Sequence, residues 1–147
     1  MKGWLLDTNV VSEWTKPKPN LKVANFLVAA KKSELFTSSV TIAEIRFGIA
    51  SLEASPRKLA LSAWLDQELT VYFDNRLLQI TEKELIATFE VVNTANRKRQ
   101  SVTVADALIA GIANHHKLAL VTRNTKDFIA FGIPKLNPWT GERFNGA

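Results

Sequence analysis

Apolar residues fall into clusters of two lengths along the chain, separated by short polar breaks. The short ones are Trp4-Leu5-Leu6 (entered from Lys2-Gly3), Glu34–Ser38, Leu77–Ile80 and Leu118–Thr122. Each is too brief for a helix and reads as a buried strand. Between them run stretches with helical spacing. From Asn20 to Lys32, Leu21, Val23, Ala24, Phe26, Leu27 and Ala30 recur every few residues, and Asn20 is a suitable cap. Further helices are expected from Thr41 toward Leu52, from Arg57 to about Leu69 after the break at Ser55-Pro56, from Thr81 to the basic run Arg97-Lys98-Arg99, and from about Thr103 onward. A brief helix over Val10–Trp14 should stop at Lys16-Pro17-Lys18-Pro19, because proline disfavours helix in the residue before it. The tail Gly132–Trp139 adds a final strand or an extended arm.

Strands alternating with helices predict an α/β fold whose parallel sheet is covered on both faces. No repeat, low-complexity segment or linker divides the chain, so one domain over residues 1–147 is expected. Right-handed crossovers then gather the strand C-termini along one edge, where such sheets bind ligands.

Composition narrows the chemistry. With 46% hydrophobic residues the chain can bury a sizeable core. No stretch approaches the roughly 18 to 20 apolar residues of a membrane span. The opening apolar segment meets an acid at Asp7, too soon for a secretory leader. The absence of cysteine removes disulfides, thiol nucleophiles and cysteine-based zinc sites, and fits a reducing cytoplasm. Nineteen basic against fourteen acidic residues leave +5 and a pI near 9.6, which favours polyanionic partners. That surplus matters more if the acids are gathered in one place.

Four acids have the placement for it. Asp7 ends the first strand, Glu44 and Asp106 fall in first helical turns, and Asp127 follows the last clear strand. The simpler reading is capping. Thr41-x-x-Glu44, Thr103-x-x-Asp106 and Asn124-x-x-Asp127 all have capping-box form, and Thr81-x-x-Glu84 is read as a cap alone. Yet Asp106 opens a run apolar almost all round (Ala107, Leu108, Ile109, Ala110, Ile112, Ala113), the mark of a buried helix. Two like charges about 5 Å apart at an effective dielectric of about 20 repel by roughly 3 kcal/mol. Several such pairs would consume much of a stability of roughly 5–15 kcal/mol. Either protons or cations must therefore intervene. An all-oxygen pocket suits Mg²⁺ or Mn²⁺. Such ions activate water and support the leaving oxygen of a phosphodiester, while a basic surface holds a nucleic-acid backbone.

Four motifs lie in order along the chain: Leu6-Asp7-Thr8-Asn9, Thr41-Ile42-Ala43-Glu44-Ile45-Arg46-Phe47-Gly48, Val104-Ala105-Asp106-Ala107-Leu108-Ile109-Ala110, and Val121-Thr122-Arg123-Asn124-Thr125-Lys126-Asp127-Phe128. With the closing Asn137-Pro138-Trp139, this ordered set resembles the PIN-domain ribonucleases, of the kind that act as VapC toxins, including the FitB-like branch. The resemblance implies a three-layer α/β/α sandwich around a central parallel sheet of four to five strands. It implies RNA hydrolysis dependent on Mg²⁺ (or Mn²⁺), a homodimer or larger toxin–antitoxin assembly, and a small VapB-like antitoxin. It marks Asp7, Glu44 and Asp106 as metal-site acids, with either Asp127 or Asn124 as the fourth member.

Thr8, Asn9 and Thr122 are candidates to orient water or ligands, or are plain turn residues. Arg46 and Arg123, beside motif acids, contact substrate or pair locally. The run Arg97–Arg99 either grips phosphates or is a solvated helix end. His115 and His116 complement a helix dipole rather than catalyse. Trp4, Trp64 and Trp139 read as packing residues, with Trp14 open. The rival readings are a DNA or flap nuclease using the same pocket, a Mg²⁺-binding receiver-like module, and a partner-binding module without nuclease activity.

Overall fold

Each short apolar cluster becomes a strand, and after the first three a polar residue (Asp7, Ser38, Thr81) caps the next helix. The computed structural model describes residues 3–146, so Lys2 lies outside the described residues. Trp4–Leu6 is β1, followed by α1 (Thr8–Val11) and a 3-10 turn, Ser12–Thr15. Asn20 caps α2 (Leu21–Ala29), its side-chain oxygen accepting from the Lys22 and Val23 amides. Then come β2 (Leu35–Ser38), α3 (Ser39–Ala50), α4 (Pro56–Ala63), π-helical turns over Trp64–Leu69, and α5 (Thr70–Phe73). After β3 (Leu77–Leu78) lie α6 (Glu82–Arg97), α7 (Val104–His116), β4 (Ala119–Val121), a 3-10 segment Thr125–Phe131, β5 (Pro134–Leu136) and β6 (Arg143–Asn145).

The sheet runs in the order β3-β2-β1-β4-β5-β6. The first five strands are parallel, and β6 returns antiparallel to β5. The five parallel strands match the four to five expected, and β6 adds an antiparallel edge that was not foreseen. The tail is a hairpin: the amides of Thr140 and Gly141 donate to the Asn137 carbonyl, and Gly141 takes φ +83°. Strand residues face two cores alternately, as a doubly covered sheet requires. Leu5, Leu118 and Leu120 meet residues of α6, α7 and the Thr125–Phe131 segment, including Val91, Ile109 and Phe128. Leu6, Leu35 and Val121 meet the other layer, including Val10, Val23, Ile45, Leu65 and Phe73.

The α6 and α7 backbones approach closely because Gly111 has no side chain. A Cβ there would lie 2.2 Å from Thr88 Oγ1 and 2.6 Å from Thr88 Cα. Gly111→Ala should therefore cost about 1–3 kcal/mol or more by overpacking, read as a lower urea midpoint. An unchanged midpoint would mean that the two helices slide apart freely. Among the described residues no helix is long and apolar enough to cross a membrane. The chain leaves β1 toward β2 on one side, while β4 lies on the other, so the carboxyl ends of β1 and β4 flank a topological switch point.

Candidate active site

Asp7 sits at that switch point. Its amide donates to the Val121 carbonyl of β4 (3.0 Å), which fixes the backbone, and its side chain is buried at 7% exposure. One carboxylate oxygen accepts from the Thr8 amide at 2.8 Å, the other from the Thr122 hydroxyl at 2.7 Å. The Thr122 oxygen in turn accepts from the Asn124 amide (3.1 Å) and from Asn9 Nδ2 (3.4 Å). A hydroxyl has one proton and two acceptor sites. With both acceptor sites taken, the proton of Thr122 is committed to Asp7. Asn9 Oδ1 also accepts from the Arg123 amide (3.2 Å), so the loops after β1 and β4 are laced together.

Glu44 differs from its expected place in the first turn, and the capping reading fails with it. The helix begins earlier than Thr41, because the Ser38 side chain caps it by accepting from the Thr41 amide. Glu44 therefore lies in the second turn of α3, too deep to cap. Its carboxylate instead accepts from the Thr8 hydroxyl at 2.7 Å, which joins α3 to the Asp7 loop. Asp106 does fall in the first turn of α7, where its amide donates to Thr103 Oγ1 (3.1 Å). Asp127 stands in the first turn of the Thr125–Phe131 segment, and Asn124 provides no side-chain cap there.

The four acids feel one another. Burial pushes the Asp7 carboxyl up from the ordinary carboxylate value, the bonds from Thr122 and Thr8 pull it back, and the charges of Glu44 and Asp106 push it up again. Burial also raises Asp106; Thr103 opposes that, and the charges of Asp127 and Glu44 add to it. Among the described residues, ion pairs join Lys16 to Glu13 and Arg46 to Asp66, and a hydrogen bond joins His116 to Glu84. None neutralises the four acids. Nor do their oxygens close into a sphere. Among the described residues, the trio with ligand atoms all within 4.8 Å of one another is Glu84, His115 and His116, away from these acids.

Arg46 pairs with Asp66 (2.7 Å), both side chains exposed, which is the local pairing that was one of its two expected roles. The Arg123 guanidinium lies over the Trp139 ring (5.1 Å to the centroid), and Trp4 packs edge-on to Phe26. Trp14 lines an apolar groove with Trp64 and Tyr72. Two clefts border the acids. One, of about 490 Å³, is lined by Asp106 and Asp127 together with Lys98 and Lys126. The other, of about 430 Å³, is lined by Thr8 and Glu44 together with Lys16 and Arg57. Lys98 thus faces the acid cleft. Lys16, Arg57 and Lys126 are not singled out as site residues by the sequence, where only the position of Lys126 beside Asp127 is a signal.

The PIN domain family's sequence profile matches residues 4–133, which takes in all four acids and both loops that meet at Thr122. The chain belongs to the PIN domain family. It is 33% identical over 135 residues to Toxin FitB of Neisseria gonorrhoeae, covering 92% of this chain and 97% of that one. It is 31% identical over 135 residues to VapC ribonuclease Y4jK of Sinorhizobium fredii, covering 92% and 96%. The solved structure of FitAB bound to a DNA fragment superposes with a TM-score of 0.87 at 32% identity, covering 92% and 95%. Family membership also sets aside the receiver-like reading.

The donor chemistry of this PIN domain suits a hard divalent cation. Asp7, Glu44, Asp106 and Asp127 offer only oxygen and have no ion-pair partner among the described residues, while burial first and neighbouring acids second raise Asp7 and Asp106. A small ion held by a few carboxylates keeps waters in its remaining positions. Asn124 is exposed and brings an amide oxygen without charge, whereas Asp127 acts electrostatically on Asp106.

Proposed function

We propose that residues 1–147 form one nuclease domain, the toxin of a VapBC-type pair, which hydrolyses RNA phosphodiesters in the cytoplasm. Four acids with no ion-pair partner among the described residues, gathered about the switch point and bordered by two clefts with cations in their walls, carry this reading. Asp7, Glu44 and Asp106 would hold Mg²⁺ or Mn²⁺, with Asp127 completing the set in preference to Asn124. Such an ion, when bound, lowers the pKa of water and offsets charge building at phosphorus. Thr122 and the Thr8 amide hold Asp7 in one orientation, and the Thr8 hydroxyl does the same for Glu44. Glu44 is exposed and positions the attacking water by accepting its proton. A bond forms from water oxygen to phosphorus, the bond to the 3′ oxygen breaks, and that oxygen leaves with a proton from solvent. The products carry 5′-phosphate and 3′-hydroxyl ends.

Matched RNA and DNA oligonucleotides, each with Mg²⁺, Mn²⁺ and EDTA, test the reading. RNA should be cut only with metal. A 2′,3′-cyclic phosphate product, or equal cutting in EDTA, would overturn it. The cleft cations make a separate prediction for binding in EDTA. Lys98→Glu combined with Lys126→Glu should weaken RNA affinity about tenfold or more at low salt, and flatten the log–log salt slope by about 1.4 for two lost single-strand phosphate contacts. An unchanged slope would place the backbone elsewhere.

The inhibitory partner is a FitA- or VapB-like antitoxin. The groove of about 640 Å³ lined by Val23, Leu27, Val28, Trp64 and Tyr72 has the apolar character that receives an amphipathic helix. Homodimerisation belongs to the same proposal.

A further inference from the structure

We propose a second cation site, at the far end of α7 from Asp106, in which Glu84, His115 and His116 take a borderline divalent transition ion of the Zn²⁺ type. The chain has two histidines and both stand here. One ring nitrogen of each and one Glu84 oxygen all lie within 4.8 Å of one another. Imidazole and carboxylate donors suit zinc rather than magnesium, with three protein ligands leaving a position for water. About 15 Å of helix separates Asp106 from these histidines at 1.5 Å per residue, so the two sites are independent.

The carboxylate is prepared for coordination. Glu84 is 5% exposed and sits in a true capping box at the start of α6. One of its oxygens accepts from the Thr81 amide and hydroxyl, which fixes the plane of the group. The other oxygen faces His116 Nε2 at 2.8 Å. Outer hydrogen bonds of this kind orient the ligands of metal sites. At ordinary zinc bond lengths a tetrahedral ion sets its oxygen and nitrogen ligands about 3.4 Å apart, so a small rotation of the His116 ring admits the ion. His115 is exposed, edge-on to His116 with ring centroids 4.9 Å apart, and swings in from the solvent side. The ion would bridge the start of α6 and the end of α7.

The competing account is that Glu84 and His116 form a helix-tying pair and nothing more. Replacing His115 separates the two, because His115→Ala leaves the Glu84–His116 bond in place. Thermal unfolding is followed with Zn²⁺ titrated into the full chain in constant millimolar Mg²⁺, which keeps the acid pocket supplied. The wild-type Tm should rise by about 5–10 °C when Zn²⁺ reaches about a hundred times its Kd, with one ion bound per chain by calorimetric titration. His115→Ala should have the wild-type Tm without Zn²⁺, lose the shift, and cleave RNA normally in Mg²⁺. No shift in the wild type, or an equal shift in His115→Ala, would overturn the site while leaving the nuclease reading untouched.

Discussion

Asp106→Asn is expected to cut RNA cleavage by at least 10²–10³-fold while making the metal-free protein more stable. The loss has the size seen when one charge-stabilising group leaves a preorganised site. The gain follows first from relieving the partial burial of a charge, and then from removing the repulsion that Asp106 shares with Asp127 and Glu44. Asparagine keeps the shape and the hydrogen bond from its backbone amide to Thr103 Oγ1, but not the charge. Linkage gives the pH signature. A carboxyl held above its ordinary value of 3.8 binds more protons folded than unfolded. Stability therefore falls as pH rises through the window from 3.8 up to the raised value, and stays reduced at neutral pH. The variant should flatten that segment of the profile and lose most Mg²⁺-induced stabilisation. Glu84 runs the opposite way. Burial pushes it up, but bonds from Thr81 and His116 outweigh burial and hold it at about 2, against an ordinary 4.5. Its contribution is complete above 4.5 and disappears as pH falls toward 2, so the variant-minus-wild-type difference, not the raw curve, isolates Asp106. Near wild-type cleavage by purified Asp106→Asn would end the site assignment.

The acids were legible because their place in the chain fixes their place in the fold. Asp7 ends an apolar run, and a parallel sheet carries such ends to one edge. Which neighbours the acids touch was not legible. Glu44 has the spacing of a cap to Thr41, but Ser38 also caps, and it starts the helix a turn earlier. A local motif cannot tell which of two competing hydroxyls wins. The pairing of Arg46 was open in the sequence between substrate and a local acid, and only the folded chain brings Asp66, twenty residues away, to it. The sixth strand escaped because Arg143-Phe144-Asn145 is short and lies at an edge, without a buried alternation to announce it. Lys135 shows the same limit. It is 2% exposed in β5, its ammonium donating to the Ile133 carbonyl and lying over the Phe144 ring. Burial, helped by the charge of Lys98, holds that ammonium below the ordinary lysine value.

Thr122→Val should lower RNA cleavage about 10–100-fold, the range for groups that orient metal ligands, although Thr122 is wholly buried and would not meet substrate. Valine nearly matches threonine in shape, so packing survives and the loss is polar. One oxygen of Asp7 loses its donor, and the Asn124 amide and Asn9 side chain lose their acceptor. A hydrogen bond to a charged group is worth about 1.5–3 kcal/mol. Because the Thr122 bond lowers the Asp7 carboxyl against burial, its removal lets that carboxyl rise further. Asp7 must be ionised to hold a cation, so the acid limb of the activity profile should move to higher pH, and added Mg²⁺ should partly restore the rate. Thr122→Ser retains the hydroxyl and should restore both rate and profile. A threonine that merely closed the turn would lower Tm without moving the profile. If Thr122→Val keeps the wild-type acid limb, the proton committed to Asp7 has no part in tuning the site.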